Sequence, residues 1–162
     1  MSRTDRLLLF GAVAAGAGGL AISGYLTAAH YSGAPLACST GGAVDCARVI
    51  GSGYGVILDS GVPTSVAGIL WFAVSVALAA TRLRGLAVTT AWRLQLAWSI
   101  GGLVVVVCLV YVEVVRINAV CLWCTAAHGL VLLSFVLSAL VPATADQPGD
   151  RRAAGLPRGE TR

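Results

Sequence analysis

Four long apolar runs dominate this sequence and limit what it can fold into. They lie at about 7–29, 64–81, 94–115 and 119–141. Each is close to the length of about 20 residues that an α-helix needs to cross a lipid bilayer. With 57% hydrophobic and only 11% charged residues, the chain has too little polar surface for a water-soluble globular domain. The sequence therefore predicts an all-α membrane protein, a bundle of four transmembrane helices.

The first run also fits a cleaved signal peptide, because Arg3 and Arg6 precede it. The apolar core of a signal peptide is about 7–15 residues, however, and this run is longer. We therefore expect a retained helix. Small residues, which let helices approach closely in a membrane, recur along it at Ala12, Gly16, Gly19 and Ser23.

Two segments lie outside the four runs. A long loop, 30–63, joins the first run to the second and is rich in glycine. The segment from Pro142 onward is polar and rich in proline, glycine and arginine, which predicts a disordered tail. We expect one membrane domain, 1–141, and a cytoplasmic tail, 142–162.

The basic residues, all arginine, indicate how the helices are oriented. With four spans, the N-terminus, the 82–93 connection and the tail share one side, and only Arg48 and Arg116 lie on the other. By the positive-inside rule, both termini are cytoplasmic and the long loop is extracytoplasmic. The net charge of +4 does not indicate nucleic-acid binding, since the arginines form no basic face. Nine arginines lie on the predicted cytoplasmic side: Arg3, Arg6, Arg82, Arg84, Arg93, Arg151, Arg152, Arg158 and Arg162.

The five cysteines are the candidate reactive groups. Cys38 and Cys46 lie in the long loop, and Cys121 and Cys124 form a Cys-x-x-Cys pair at the start of the fourth run. The predicted topology places these four together on the outer side, which indicates an oxidising compartment and redox chemistry. Cys108 lies in the middle of the third run, where a small buried apolar residue is expected.

A Cys-x-x-Cys pair is a reversible dithiol, and free N–H groups at a helix start favour its thiolate form. A thiolate can attack a disulfide, so one pair can pass electrons to the other. Alternatives remain open at this point. The loop pair alone fits a structural disulfide, and the whole chain fits a non-catalytic membrane assembly factor. A four-cysteine zinc site usually has two Cys-x-x-Cys halves, whereas seven residues separate Cys38 from Cys46.

Two loop cysteines followed by a Cys-x-x-Cys on the last of four spans resemble the vitamin K epoxide reductase family. The segment Cys46-Ala47-Arg48-Val49 followed by Ser52 is similar to the family's sequence after its second loop cysteine. Residues 61–68, Gly-Val-Pro-Thr-Ser-Val-Ala-Gly, resemble the loop-to-helix junction of bacterial members. The resemblance covers about residues 8–141. The other bacterial quinone-linked disulfide oxidase family also has four spans but carries its Cys-x-x-Cys pair first.

The resemblance implies a quinone-dependent disulfide oxidoreductase of the bacterial inner membrane. Cys124 would reduce a bound quinone (menaquinone or ubiquinone), and Cys121 would exchange with Cys46. Cys38 would meet an extracytoplasmic thioredoxin-fold partner that makes disulfides in secreted proteins. Some bacterial members carry this partner as a fused domain, whereas this chain has a short tail, so a separate DsbA-like protein is expected.

The resemblance also implies quinone-binding residues. His128 takes the place of a tyrosine that vertebrate members have four residues after the second cysteine of the motif. Thr64 aligns roughly with an asparagine of those members, although a helix cap is the simpler interpretation. Ser52 lies in the loop segment that is similar to the family's sequence after its second loop cysteine. We expect His128, Thr64 and Ser52 near the quinone, and His128 also suits proton transfer.

Other polar residues suggest structural roles. Arg48 is two residues from Cys46 and fits either a thiolate partner or a solvated charge. Glu113 and Arg116 are three apart, which predicts an ion pair at the membrane edge. The four tryptophans suit anchoring at the membrane interface: Trp71, Trp92, Trp98 and Trp123.

Overall fold

The computed structural model describes residues 2–38, 42–57 and 60–141, and this part of the chain is helical and has no β-strand. The predicted tail, 142–162, lies outside the described residues. Within these described ranges, four helices are long and apolar enough to cross a membrane. The helices are α1 (Arg3–Ser32), α2 (Cys46–Ile50), α3 (Thr64–Leu83), α4 (Val88–Tyr111) and α5 (Leu122–Leu140), with a π-helical segment, Val112–Ile117, that extends α4.

The first helix begins earlier than the apolar run, because polar residues cap it. The side chain of Ser2 accepts a hydrogen bond from the backbone of Asp5, and the Asp5 carboxylate accepts one from the backbone of Ser2. This reciprocal capping box satisfies N–H groups that a helix start otherwise leaves free. The helix ends at Ser32, and the φ of 65° at its C-cap, Gly33, suits a residue without a Cβ.

The third and fourth spans also differ from the ranges expected from apolarity. The helix of the third span begins at Val88, before the run expected from residue 94, and the π-helical segment carries it to Ile117. The last helix begins at Leu122 and not at residue 119, because Cys121 is extended and acts as its N-cap. Residues 118–121 therefore form a short non-helical connection between the third and fourth spans.

The four long helices pack in a ring. The first helix contacts α3 and α5, and α4 contacts the same two helices. Small residues make the α1–α3 contact close, as the sequence predicts: a Cβ atom on Gly19 would overlap the ring of Phe72. Phe72 is almost fully buried there.

Arg82, expected to mark the membrane edge, is buried inside the end of the bundle opposite the cysteines. Its guanidinium group donates to the side-chain oxygen of Gln95 at 3.0 Å and to the carbonyl oxygen of Val141. Nearby, Trp92 donates to the carbonyl oxygen of Ser138 at 3.2 Å. These bonds connect the ends of three spans and give both terminal guanidinium nitrogens a partner, whereas the buried Nε atom of Arg82 has none among the described residues.

The segment between α1 and α3 contains local structure. It includes α2, which begins at Cys46, and a 3-10 turn, Gly53–Gly55. Asp45 caps α2 by accepting a hydrogen bond from the backbone of Arg48. An isolated bridge joins Val44 to Val120, so this segment lies at the end of the bundle where α5 begins.

Candidate redox site

The four cysteines expected in the site form two pairs at one end of the bundle. Cys38 and Cys46 are joined by a disulfide, whereas Cys121 and Cys124 are free thiols. Cys46 and Cys121 are both fully buried, and they belong to one apolar cluster against which Cys38 and Cys124 also pack. The structure therefore brings all four predicted cysteines together.

Backbone pairing holds the two cysteine-bearing segments side by side. The N–H group of Asp45 donates to the carbonyl oxygen of Val120 at 3.1 Å, and Val120 donates to the carbonyl oxygen of Ala43 at 2.9 Å. Asp45 directly precedes Cys46, and Val120 directly precedes Cys121. The bridge therefore fixes the two buried cysteines next to each other in register.

The sulfur of Cys121 caps the last helix. It accepts a hydrogen bond from the backbone N–H of Cys124 at 3.2 Å. Hydrogen bonding from the Cys124 side chain, supported by this backbone donor, lowers the pKa of the Cys121 thiol from its ordinary value, although burial opposes the shift. Cys121 is thus the cysteine of the pair that this site favours as a thiolate.

Glu113 does not form the expected ion pair with Arg116. Its carboxylate oxygen Oε2 accepts a hydrogen bond from the backbone N–H of Cys121 at 3.2 Å, and the side chain is 6% exposed. Arg116 instead donates to the hydroxyl oxygen of Tyr54 at 3.1 and 3.2 Å. Both residues lie in the π-helical segment, whose wider turn removes the α-helical alignment of residues three apart.

Two aromatic residues hold the loop beside Cys38. The N–H group of Ala37 donates to the hydroxyl oxygen of Tyr25 at 3.0 Å, and Trp123 donates to the carbonyl oxygen of Ala37 at 3.2 Å. The two rings also contact each other, with centroids 4.9 Å apart. Trp123 lies inside the Cys-x-x-Cys motif, so the loop is attached directly to the start of the last helix.

A cavity of about 460 Å³ opens beside the dithiol. Most of its wall is apolar and comes from α3, α4 and α5, while α2 and the 3-10 turn border it at the cysteine end. Its polar wall groups include Glu113, Cys124 and His128. A mostly apolar cavity of this size with a few polar groups is typical of small-molecule sites. Its walls fit a quinone, whose ring is apolar and whose two oxygens accept hydrogen bonds.

Two of the three predicted quinone contacts line this cavity. His128 lies on its wall, one helical turn after Cys124, and Thr64 lies at the start of α3. Thr64 is not the cap of that helix, since Pro63 is the N-cap residue, and its hydroxyl donates to the carbonyl oxygen of Tyr54 at 3.4 Å. The structure does not bring Ser52 to the cavity wall, and its hydroxyl donates to the carbonyl oxygen of Val49 at 2.7 Å.

The interface role expected for the tryptophans is wrong for Trp71 and Trp98. They lie within α3 and α4, where each indole N–H donates to the other's backbone carbonyl oxygen, at 3.3 and 3.1 Å. Both side chains line the cavity. Indole N–H groups need partners when they leave water, and this reciprocal pair supplies them.

One further expectation, the buried position of Cys108, is wrong. Cys108 is exposed on the outer face of α4 and is not buried, because the packed face of that helix carries residues such as Ser99 and Gly102. Arg48 is exposed on α2, in keeping with a solvated charge. A four-cysteine zinc site does not fit this arrangement, because the sulfurs of Cys38 and Cys46 are bonded to each other and are not thiolates.

Comparison with known proteins supports the resemblance seen in the sequence. A search of curated proteins finds no match to this chain. The model of the vitamin K epoxide reductase family, however, matches residues 11–139, which include all four cysteines of the site. This family comprises multi-pass membrane disulfide oxidoreductases linked to quinones. The match covers most of the chain, and the chain therefore belongs to the vitamin K epoxide reductase family.

Proposed function

We propose that this protein passes electrons from an extracytoplasmic thioredoxin-fold partner to a membrane quinone. The electrons enter at Cys38 and Cys46, move to Cys121 and Cys124, and leave at the cavity. This reaction would support disulfide formation in secreted proteins. The single observation that carries the proposal is that Cys46 and Cys121 share one buried cluster while Cys124 lines the adjacent cavity.

The accessibility of the cysteines supports this order. Cys38 is half-buried, whereas Cys46 is 0% exposed, so an external thiolate reaches Cys38 more readily. Its attack releases Cys46 as a thiolate beside Cys121, and Cys46 then attacks the Cys121–Cys124 disulfide. The arrangement with an oxidised loop pair and a reduced helix pair follows this exchange and precedes quinone reduction.

At the cavity, Cys124 would pass the electrons to the acceptor, and Cys121 would form the disulfide with Cys124. A bound quinone supplies an acceptor for two electrons and two protons. His128 and Thr64 are proposed to hold its oxygens by hydrogen bonds, because both line the cavity with polar groups. Ser52 has no such role in this proposal, since its hydroxyl bonds to the backbone of α2.

The proposed location is the bacterial inner membrane, with both termini in the cytoplasm. The arginine distribution supports this orientation, because Arg48 and Arg116 are the only arginines among the described residues at the end of the bundle that carries the cysteines. A separate thioredoxin-fold protein would then reach Cys38 from the outer side. A non-catalytic assembly factor is less well supported, since Cys121 and Cys124 remain unbonded next to a disulfide.

Quinone reduction by the purified protein tests the proposal. Reduced thioredoxin-fold partner and a water-soluble quinone are mixed with wild type, with Cys124→Ala and with Cys108→Ala as the matched control. We expect turnover in wild type and in Cys108→Ala and none in Cys124→Ala. Absence of turnover in folded wild type with several quinones and partners would favour structural disulfides. Turnover in Cys124→Ala would place the electron exit on another residue.

The order of the relay needs a second variant. With Cys46→Ser, we expect loss of turnover driven by the protein partner, because the variant lacks the loop thiolate that is buried in one cluster with Cys121. Quinone reduction driven by a small dithiol should persist, since Cys121 and Cys124 are intact. Full partner-driven turnover in Cys46→Ser would show that the loop pair is not part of the route.

A further inference from the structure

Glu113 is the buried acidic side chain at the junction of the two cysteine pairs and the cavity. It is 6% exposed, and its Oε2 atom accepts the backbone N–H of Cys121 at 3.2 Å. It also lines the cavity next to the side chain of Cys124. The Glu113 carboxyl group thus contacts Cys121, which would receive electrons from Cys46. It also borders the cavity through which the electrons would leave.

The surroundings of Glu113 do not explain it as half of an ion pair. Arg116, in the same π-helical segment, donates both of its hydrogen bonds to Tyr54. Arg48 on α2 is exposed. The other titratable groups that line the cavity are Tyr54, Cys124 and His128. An ionisable side chain retained inside a membrane span is expensive and usually functional, and proton relays in membranes are built from such groups.

We propose that Glu113 is the proton-carrying group of the Cys121/Cys124 pair. It binds a proton when the pair becomes reduced and releases that proton when the pair becomes oxidised. This inference rests on the proposed electron route and adds the path of one of its protons.

The reaction balances with this assignment. In the reduced state Cys121 is a thiolate, Cys124 a thiol and Glu113 a carboxylic acid. Oxidation forms the Cys121–Cys124 bond and transfers two electrons to the quinone, together with one proton from Cys124 and one from Glu113. The products are the disulfide, the hydroquinone and the Glu113 carboxylate, and the total charge is unchanged.

The return half of the cycle balances as well. The Cys38/Cys46 dithiol carries two protons and reduces the Cys121–Cys124 disulfide, while its own disulfide forms. Cys121 becomes a thiolate, Cys124 takes one proton and Glu113 takes the other. The site then holds one negative charge throughout the cycle. It therefore never carries a second buried negative charge, which would cost additional free energy.

Replacing Glu113 with glutamine distinguishes a proton-carrying role from a purely structural role. Its side-chain oxygen can accept the same hydrogen bond from Cys121, but it cannot carry a proton. Aspartate can carry the proton on a side chain shorter by one methylene. A purely structural role for Glu113 predicts that Glu113→Gln is tolerated, whereas proton carrying predicts that only Glu113→Asp retains function.

Infrared difference spectroscopy of the quinone-free protein tests the inference without relying on activity. The spectrum is recorded between the oxidised and reduced Cys121/Cys124 pair, with a small dithiol as reductant. We expect a carboxylic acid C=O band that appears on reduction in wild type, shifts in Glu113→Asp and is missing in Glu113→Gln. Glu160→Gln serves as the matched control and should retain the band. A wild-type spectrum without this band, or the same band in Glu113→Gln, would overturn the inference.

Turnover supplies the second readout. We expect quinone reduction in Glu113→Gln to fall by at least about 100-fold, the usual contribution of a positioned proton-transfer group, with partial activity in Glu113→Asp. Wild-type turnover in Glu113→Gln would contradict the inference while leaving the electron route intact. If wild type itself fails to reduce quinone, the proposed function fails, and the infrared result still decides whether Glu113 carries the proton.

Discussion

The backbone N–H of Asp45 donates to the carbonyl oxygen of Val120 at 3.1 Å, one residue before each of the two buried cysteines. This contact joins the loop to the connection between the third and fourth spans. It explains how Cys46 and Cys121 come to share a cluster although 74 residues separate them in the sequence. Exchange between them would then need little movement of Cys46, whereas the loop next to Cys38 is bonded through Ala37 to the side chains of Tyr25 and Trp123.

The side-chain bonds at Ala37 lead to the first prediction. Trp123→Phe removes the indole donor to Ala37 but keeps a ring that can pack against Tyr25. Losing one hydrogen bond of about 0.5–1.5 kcal/mol should loosen the loop, so a small reductant should cleave the Cys38–Cys46 disulfide a few-fold faster. The rate is measured by alkylating the released thiols and resolving the products by mass spectrometry.

The matched control for this experiment is Trp92→Phe. It removes an equivalent bond, from an indole to the carbonyl oxygen of Ser138, at the opposite end of the bundle. The Trp92 variant should reduce at the wild-type rate. Equal rates in the Trp123 variant and wild type would mean that the bond to Ala37 does not restrain the loop.

The four membrane spans could be predicted from sequence because length and apolarity alone determine which segments can cross a bilayer. The ends of the helices could not be predicted in this way. The first helix begins where Ser2 and Asp5 cap it, and the last begins after Cys121 because Val120 is paired with the loop. Such end points depend on hydrogen bonds to specific partners, and some of those partners are distant in sequence.

A second prediction concerns the protonation of Cys121. The Cys124 side chain is the main donor that lowers the pKa of the Cys121 thiol. In a Cys108→Ser background, the thiolate absorbance of Cys121 should therefore titrate below the range of an ordinary cysteine. Cys124→Ala removes the donor and should move the midpoint upward, so at a pH between the two midpoints the variant holds less thiolate. An unchanged or lower midpoint in Cys124→Ala would contradict the assignment.

The third prediction concerns packing between α1 and α3. A methyl group at Gly19 would meet the ring of Phe72, so Gly19→Ala forces one of the helices to shift. We expect the free energy of unfolding in detergent to fall by about 1–3 kcal/mol. Gly24→Ala is the control, because a Cβ atom there has no neighbour within 4 Å among the described residues. Equal stability of the two variants would show that the α1–α3 contact is not tight at Gly19.

The site was only partly predictable. The cysteine spacing indicated both pairs, and helical periodicity placed His128 beside Cys124. The contact of Glu113 with Cys121 could not be predicted, because α-helical spacing pairs Glu113 with Arg116 and nothing local in the sequence reveals the π-helical segment that separates them. The signal available was an acidic residue inside an apolar run near the Cys-x-x-Cys motif. The Trp71–Trp98 pair depends on how two helices face each other, which apolarity does not determine.

The most direct test of the electron route is to trap its central bond. Cys38→Ser/Cys124→Ser leaves Cys46 and Cys121 as the cysteines that can exchange, and the oxidised protein is digested and analysed by mass spectrometry. The relay predicts a Cys46–Cys121 disulfide in this variant and little Cys46–Cys124 disulfide in the matched Cys38→Ser/Cys121→Ser variant. Free Cys46 and Cys121 in the first variant, together with a Cys46–Cys124 bond in the second, would contradict the relay.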